Sequence, residues 1–319
     1  MEHLSAAVFQ VLSMIMAFLT SIGTITMPST QDPITASDGT PLMSFVAFGD
    51  SQVSNYNLER EPYVIEMADD IRNSQLSLDA FVIAGDVAEN GCQSEYDRVY
   101  EDISGLDVGT YIIAAGNHDI RLREYDSCSE RILTFMNNLN NNDESKKQTS
   151  LYYSMDINGY KFIVIASEKS NFEDAYISNA QLTWLNQELE SADGKPVFVI
   201  THYPLKDTHG LPDTWSNSLW ESGSIGDSSD KVKEILNRYE NVFFITGHLH
   251  TGFGQYTYEK IGNFDSINLP SVGIENKDGD YNEQGCGYLV EVYENSVIFR
   301  ARNFAKGEYL PDYDLVFNY

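Results

Sequence analysis

Residues with metal-binding side chains follow five apolar runs of the sequence. Each run is rich in β-branched and aromatic residues, and such runs are typical of strands that are buried on both faces. In open α/β sheets, functional groups gather outside the carboxyl ends of the strands, so we expect these side chains to converge. The residues that could do chemistry there are Asp50, Gln52, Asp86, Asn117, His118, Asp119, His202, His248 and His250.

The donor types in this set indicate bound metal ions. Imidazole, carboxylate and amide oxygen are ligands that suit Zn, Fe and Mn. Seven or eight such groups are too many for one tetrahedral ion, so two ions are the natural number, with Asp86 as the candidate bridge. Two ions can clamp the attacking and leaving oxygens of a phosphate ester, and they lower the pKa of a bound water.

Each of these residues alone has a simpler explanation. An Asp after a strand, such as Asp50 or Asp86, is often only a turn residue or a helix cap. Asn117 after Gly116 is compatible with an ordinary turn, and a lone His202 is more often a satisfied polar side chain than a ligand. The joint occurrence favours a site, because five independent turns would otherwise all have to imitate one.

The elements that must position these residues alternate along the chain. The apolar runs at 44–49, 80–85, 110–116, 195–201 and 241–247 predict strands. Between some of them, the segments 62–73, 179–190 and 229–239 have helical patterns. Two strand pairs look like hairpins, 151–157 with 160–167 around Asn158-Gly159, and 287–293 with 296–303. The mixture predicts an α/β fold with a mostly parallel sheet joined to further strands, in one domain from 44 to 319.

The motifs that hold these residues occur in a recognisable order. They read GD at 49–50, GDVAENG at 85–91, GNHD at 116–119, a histidine at 202 and GHLH at 247–250. Together they resemble the signature of the calcineurin-like metallophosphoesterase superfamily, which includes purple acid phosphatases and cyclic nucleotide phosphodiesterases. The resemblance implies a four-layer α/β/β/α sandwich of two mixed β-sheets flanked by helices. It also implies hydrolysis of a phosphodiester or phosphomonoester by a metal-bridging hydroxide that attacks phosphorus in line.

The same resemblance implies how the ligands divide between two divalent ions, which would be Mn, Fe or Zn. Asp86 would bridge the two ions. Asp50 and His250 would complete the first site. The remaining ligands, those of the second ion, would be Asn117, His202 and His248.

Two catalytic roles also follow from the resemblance. His118 would stabilise the phosphoryl oxygens or protonate the leaving group. Asp119 would orient His118 and keep it charged, as a carboxylate does behind a catalytic histidine.

Gln52 departs from the family pattern, because many members have a histidine at this position. As a ligand, Gln52 would offer a neutral amide oxygen, which favours Mn, Fe or Mg over Zn at the first site. Otherwise Gln52 lies outside the ligand shell, and the first site is one ligand short. The purple acid phosphatases carry a tyrosine where this chain has Glu89, so we do not expect their tyrosinate-bound iron.

The charge balance limits the classes of partner. The 48 acidic residues outnumber the 20 basic ones, which gives a formal net charge of −28. Binding to nucleic acid or to an anionic membrane surface needs a basic face, so both are disfavoured. The expected partner is a small phosphate-ester substrate, and the sequence does not determine the oligomeric state. The alternative function is a non-catalytic binding module that retains the fold. Gln52 is the residue that favours this alternative, because it departs from the family's ligand pattern.

The first residues of the chain predict a targeting segment. No charged residue occurs from 4 to 31, and 6–27 is mostly apolar. Either a signal peptide or a signal anchor fits 1–27, followed by a linker over 28–43. We therefore expect a secreted or extracytoplasmic protein, either released or held by an uncleaved segment, with no other membrane domain.

Other residues remain open between two interpretations. Arg121 and Arg123 follow the GNHD motif and would either contact a substrate phosphate or lie on the surface among acidic residues. The aromatic side chains of the long loop 203–228 would either stack on a nucleobase or hold the loop itself in place. Its relevant side chains are Tyr203, His209, Trp215 and Trp220.

The chain has three cysteines, so at least one of them is unpaired. A disulfide between Cys92 and Cys128 and three free thiols are both compatible with the sequence.

Overall fold

Thirteen strands and six helices make up the part of the chain that the computed structural model describes, residues 39–74, 76–211 and 223–319. The strands are β1 (Met43–Phe48), β2 (Leu78–Ile83), β3 (Val108–Ile113), β4 (Tyr153–Ile157), β5 (Tyr160–Val164), β6 (Val197–Ile200), β7 (Val242–Thr246), β8 (Tyr258–Ile261), β9 (Phe264–Asn268), β10 (Cys286–Val292), β11 (Ser296–Asn303), β12 (Glu308–Tyr309) and β13 (Leu315–Asn318). The helices are α1 (Glu61–Ser74), α2 (Gln93–Ile103), α3 (Asn117–Ile120), α4 (Tyr125–Leu139), α5 (Asn179–Glu190) and α6 (Ser229–Leu236).

The strands form two mixed sheets. The first has seven strands in the order β12-β11-β10-β1-β2-β3, with β13 also paired to β11, and the second has six in the order β4-β5-β6-β7-β9-β8. Strands β1, β2 and β3 run parallel, as do β5, β6, β7 and β9, while the outer strands pair antiparallel. The sequence-based expectation of one mostly parallel sheet is therefore wrong, and the four-layer sandwich of two mixed sheets is confirmed.

The two sheets share an aromatic core. On β1, the ring of Phe45 lies edge-on to Phe162 and Phe198 of the second sheet, with centroid distances of 5.2 and 4.9 Å. Phe198 stacks in turn on Phe243 of β7. Successive side chains of a strand point to opposite faces, so Phe48 on the same strand packs instead toward the helix side of the first sheet, beside Phe81.

Helices cover the two outer faces. Helix α1 buries Val64, Met67, Ala68 and Ile71, the i, i+3, i+4, i+7 spacing of one helical face. It packs beside α2, and α4 lies next to α2, on the first sheet. Helices α5 and α6 cover the second sheet, where their leucines join the side chains of β5, β6 and β7. Every central strand is thus buried on both faces, which explains why its sequence is apolar throughout.

The predicted local elements are present with small shifts of their ends. The hairpin of β4 and β5 turns at Asn158 and Gly159, whose φ angles are 51° and 81°, and β10 pairs with β11 as predicted. The predicted helices correspond to α1, α5 and α6, whereas α2 and α4 were not predicted. Strand β1 begins at Met43, which pairs with Val292, so this residue belongs to the sheet rather than to the predicted linker.

Residues 39–319 form one compact unit. The predicted targeting segment and the rest of the predicted linker, up to residue 38, lie outside the described residues. Across the described ranges, no helix has both the length and the apolar character needed to span a bilayer.

Candidate metal centre

Turns from both sheets meet at one end of the sandwich. The turns after β1, β2 and β3 come from the first sheet, and those after β6 and β7 come from the second. Hydrogen bonds join them across the gap between the sheets: His248 N donates to Asp50 Oδ2 at 3.0 Å, and Ser271 Oγ, after β9, donates to the Asp50 carbonyl oxygen at 2.8 Å. The predicted convergence of strand ends occurs here, although the strands belong to two sheets.

Left-handed backbone conformations recur among the predicted ligands. Five of the seven predicted metal ligands have φ in the left-handed region, which side chains other than glycine seldom adopt. Such strain is typically found at functional sites, where the surrounding structure must hold it. The five residues and their φ values are Asp50 (44°), Gln52 (38°), Asp86 (49°), His248 (77°) and His250 (50°).

Glycines in the motifs make room for these side chains. Gly85 has a φ of 86°, and a Cβ at this position would lie 2.6 Å from Cβ of His202. A Cβ on Gly116 would overlap the Asp86 carboxylate. Gly85 and Gly116 are therefore required by the close approach of the predicted ligands.

The buried donors form two groups that share one carboxylate. Asp86, His202 and His248 offer ligand atoms that all lie within 4.8 Å of one another, and the same holds for Asp50, Asp86 and His250. The Asn117 side-chain oxygen lies 3.0 Å from His202 Nε2, so it adjoins the first of these groups. A set of imidazole, carboxylate and amide donors around a shared carboxylate fits two transition-metal ions.

The imidazole of His202 is oriented as a ligand. Its Nδ1 donates to the Ala84 carbonyl oxygen at 2.9 Å, which leaves Nε2 directed at the site, 2.9 Å from His248 Nδ1. A metal-binding histidine typically donates its other ring N–H to such an oxygen, which fixes the tautomer and the ring.

Electrostatics at the site favour a cation. Burial works to lower the pKa of His202, but the charges of Asp86 and Asp50 outweigh burial and raise it to about 9. Burial works to raise the pKa of Asp86, yet the charges of His202 and His118 hold it well below its usual range. The pKa of His248 is lowered, first by burial and then by the charge of His202, so this imidazole is in the neutral form that binds metals.

Gln52 contacts the shared carboxylate through its amide nitrogen. Its Nε2 donates to Asp86 Oδ2 at 2.9 Å, and its backbone N–H donates to the Asp86 carbonyl oxygen at 2.8 Å. In this orientation Gln52 positions Asp86 and does not present its amide oxygen to the carboxylate. A ligand role for Gln52 stays a prediction that depends on rotation of the amide.

His118 lies at the mouth of the site, with its side chain 14% exposed. Its Nδ1 donates to the Glu89 carbonyl oxygen at 2.9 Å, and its Nε2 lies 4.0 Å from Asp86 Oδ2. The Glu89 carboxylate forms an ion pair with Arg60. Glu89 therefore supports His118 through its backbone, with its carboxylate Oε1 3.5 Å from the same Nδ1, and the fixed Nδ1 leaves Nε2 as the atom that can exchange a proton.

Asp119 does not orient His118, so that predicted contact is wrong. Its carboxylate is fully buried and accepts hydrogen bonds from three backbone N–H groups, those of Val87, Ala88 and Gly116, and from the Tyr96 hydroxyl. Burial and the charge of Asp86 raise its pKa to about 6. Asp119 thus fixes the turn after β2 to the turn after β3, and it shapes the site through the backbone.

Sequence reasoning missed Glu173. It lies in the segment between β5 and α5, its side chain is 18% exposed, and it contacts both Asn117 and Arg121. No motif marks it among the neighbouring acidic residues Glu168 and Asp174, so only the tertiary structure identifies it. Arg121 is correspondingly neither at the surface nor free, since it pairs with Glu173.

The remaining candidates have structural roles in the described residues. His209 is buried between the Tyr256 carbonyl oxygen at 2.8 Å and Ser266 Oγ at 2.7 Å, so it pins the loop. The ring of Tyr203 packs against His202. Trp215 and Trp220 lie outside the described residues. Arg123 contacts the Cys92 sulfur.

The three cysteines all lie within the described ranges, and all three are free thiols. The predicted alternative of a disulfide between Cys92 and Cys128 is not what the structure has.

Comparisons with known proteins agree with this geometry. A sequence model described as calcineurin-like phosphoesterase matches residues 43–252. A 3′,5′-cyclic-nucleotide phosphodiesterase of Nostoc sp. is 25% identical over 177 residues, which are 55% of this chain and 57% of that protein. A probable glycerophosphodiester phosphodiesterase of Arcobacter nitrofigilis is 25% identical over 189 residues, 56% of this chain and 59% of that protein. The chain thus spans less than two thirds of the length of these curated relatives.

Among solved structures, a purple acid phosphatase from yellow lupin (Lupinus luteus) seeds has a similar fold. It superposes with a TM-score of 0.62 at 13% identity, over 86% of this chain and 53% of the lupin protein. At this identity the likeness concerns the fold alone. It agrees with the two-sheet architecture described above.

Proposed function

Because this chain belongs to the calcineurin-like phosphoesterase family, we propose that it hydrolyses a small soluble phosphate ester with two divalent metal ions. One observation carries the proposal: two groups of buried donors share the Asp86 carboxylate. Asp50, Asp86 and His250 would hold one ion. The residues that would hold the second are Asp86, Asn117, His202 and His248.

The ions, when bound, supply Lewis acidity that activates a water and neutralises the phosphoryl oxygens. The protein contributes the rest. Gln52 and the Ala84 carbonyl oxygen orient Asp86 and His202, respectively. His118 holds a proton at Nε2, directed at the site while Nδ1 is fixed on Glu89, and we assign to it protonation of the leaving oxygen.

We favour a phosphodiester as the substrate. The two relatives described above are named for phosphodiester substrates, a cyclic nucleotide and a glycerophosphodiester. The net charge of −28 argues against a nucleic-acid polymer, since long-range repulsion would oppose its approach. A small organic diester needs only the local positive charge of the occupied metal site.

We also propose that the protein acts outside the cytoplasm, on the strength of the apolar, uncharged segment at 6–27. Mass spectrometry of the protein recovered from its native host tests this. A mature N-terminus near residues 24–28 is expected, and an intact N-terminus on a cytoplasmic protein would refute export.

Turnover of bis(p-nitrophenyl) phosphate by the full chain after Mn²⁺ loading tests the proposed activity. Asp86→Asn is the control, because asparagine tolerates the left-handed backbone that position 86 requires. We expect turnover that needs Mn²⁺ and is lost in the variant, with two ions per chain by elemental analysis.

Turnover of p-nitrophenyl phosphate, but not of the diester, would shift the assignment to a phosphomonoesterase. Bound Mn²⁺ without turnover of either ester would favour the non-catalytic binding module. Turnover that Asp86→Asn retains would contradict the proposed site.

A further inference from the structure

Building on the proposed function, we propose that Glu173 is a positioning residue that sets both a metal ligand and the catalytic imidazole. One Glu173 oxygen, Oε2, accepts a hydrogen bond from Asn117 Nδ2 at 2.5 Å. The other, Oε1, forms an ion pair with Arg121 Nη1. Arg121 Nη2 lies 3.1 Å from His118 Nδ1, so this one carboxylate reaches two residues of the site by separate routes.

The first route fixes which end of the Asn117 amide faces the metal site. A side-chain amide has a donor end and an acceptor end, and only the oxygen can bind a cation. Because Glu173 accepts from Nδ2, Oδ1 is turned toward His202 Nε2, 3.0 Å away. A flipped amide would direct its N–H groups at the cation. It would also place its oxygen against the Glu173 carboxylate, and the two oxygens would repel each other. Glu173 therefore selects the rotamer that makes Asn117 a ligand.

The second route holds the Arg121 guanidinium beside the His118 ring. The Arg121 side chain is 17% exposed, and a cation this close to an imidazole needs a compensating charge. Glu173 supplies that charge, and the centroid of the Phe172 ring lies 5.6 Å from the guanidinium carbon. Since Nδ1 already donates to the Glu89 carbonyl oxygen, the guanidinium contacts the ring without a hydrogen bond, and this contact limits how the imidazole can turn.

The backbone of this segment is held independently of Glu173. Glu168 accepts from Ser178 N at 2.7 Å, from Ser178 Oγ and from Gln181 Nε2, which anchors the segment to the start of α5. Further along, Ala175 N donates to the Ser224 carbonyl oxygen at 2.9 Å. Glu168 and Glu173 are thus two carboxylates of one segment, of which one faces the helix and the other faces the site. Glu168 provides the matched control.

Calorimetric titration of the metal-free full chain with Mn²⁺ tests the first route. We expect Glu173→Ala to weaken one of the two Mn²⁺ sites by about 10- to 100-fold, the usual cost of losing a hydrogen-bond partner of a ligand, and to leave the other unchanged. Glu173→Gln should restore part of the affinity, because its amide oxygen can still accept from Asn117 Nδ2. Glu168→Gln should retain both affinities.

Two results would overturn the inference. One is a Glu173→Ala protein that binds both ions as tightly as the wild type. The other is an equal loss in Glu168→Gln, which would show that loosening of the segment, and not the orientation of Asn117, weakens the site.

Arg121→Met tests the second route. This variant keeps the contact of Glu173 with Asn117 but removes the cation beside His118. We expect a lower kcat at saturating Mn²⁺ and unchanged Mn²⁺ affinity, whereas Glu173→Ala should lower both. An unchanged kcat in Arg121→Met would refute the role of Glu173 and Arg121 in positioning His118.

The side-chain amide signal of Asn117 separates this inference from the proposed function. In the metal-free protein we expect its Nδ2 protons, assigned with Asn117→Asp, to exchange slowly and to resonate downfield because they donate to a carboxylate. Glu173→Ala should abolish both properties, and Glu168→Gln should not. A wild type that binds no Mn²⁺ would refute the proposed function, whereas an Asn117 signal unaffected by Glu173→Ala would refute the role of Glu173.

Discussion

In β1, Phe45 packs between two rings of the opposite sheet, while Asp50, two residues after the end of the same strand, is equally buried with a left-handed backbone. The same contrast holds for β2 and Asp86, and for β7 and His248. The strand bodies gain free energy from apolar burial. The turns lose it through buried charge and backbone strain.

The contrast indicates that residues which stabilise the fold and residues proposed to act in catalysis lie next to each other in the same segments of the chain. The strand bodies hold the ends of two sheets together firmly enough for the turns to keep unfavourable conformations. The charges in the turns offset one another only in part, and the site as a whole favours a cation. We therefore expect changes in the bodies to alter stability and changes in the turns to alter activity.

The largest effect is expected in a turn. Asp86→Asn removes the carboxylate shared by both donor groups, so we expect kcat/KM for bis(p-nitrophenyl) phosphate to fall by at least about 10³-fold. Asparagine fits the left-handed backbone, so the metal-free variant should still fold, with some loss of stability because it no longer offsets the charge of His202. A variant that fails to fold would contradict the expectation that changes in the turns mainly alter activity.

The reverse effect is expected in a strand body. Phe198 is fully buried and contacts Phe45, Phe162 and Phe243, so Phe198→Ala should reduce the free energy of unfolding by about 3–5 kcal/mol. The turnover per folded molecule should remain that of the wild type, since the site lies at the strand ends. Urea unfolding and kcat at low temperature measure the two quantities, with Phe198→Leu as the milder control. A kcat that falls along with stability would show that the core also tunes the site.

A smaller effect concerns the pH dependence of stability in the turns. Asp119 has a native pKa of about 6, above the value of about 4 for an unfolded chain, so the native protein binds more protons between these values. Stability of the metal-free protein should therefore fall as pH rises from about 4 through 6, by up to about 3 kcal/mol from this group.

The variant Asp119→Asn isolates that contribution. It lacks the titrating group, so its stability should fall less steeply over the same pH range, even if it is less stable throughout. Urea unfolding at a series of pH values measures both slopes. Parallel curves for the two proteins would mean that Asp119 does not titrate in this range.

The comparison also separates what the sequence predicts from what it cannot. The ligand candidates stand directly after apolar runs, so local pattern was enough to find Asp50, Asp86 and His202. The pattern could not divide the strands between two sheets, because a strand covered by a helix and a second sheet is as apolar as one covered by two helices. Helix α2 was missed because it is largely polar and exposes much of its surface.

The sequence pattern also failed to predict contacts between residues that are distant in the chain or that turn away from their sequence neighbours. Asp119 follows His118 in sequence, but its carboxylate turns back to the backbone of two loops, and nothing in the motif specifies that direction. Glu173 is 56 residues from Asn117 and reaches it only because the second sheet brings the segment after β5 to the site. A motif indicates which residues do the chemistry, whereas the residues that orient them depend on the tertiary structure.

The smallest expected effect lies where the two regions meet. Tyr96 belongs to a helix and packs against Phe135, yet its hydroxyl donates to Asp119 Oδ1 at 3.0 Å. Removing a hydrogen bond to a charged group costs about 1.5–3 kcal/mol, so Tyr96→Phe should destabilise the metal-free protein by about 2 kcal/mol at pH 7.5. At pH 5 most of the native Asp119 carboxyl is protonated, and the cost should drop to about 1 kcal/mol. If the loss of stability in Tyr96→Phe is the same at both pH values, Tyr96 acts by packing alone, like the residues of the strand bodies. If the loss is larger at the higher pH, the hydrogen bond to Asp119 contributes, and Tyr96 acts together with the turns.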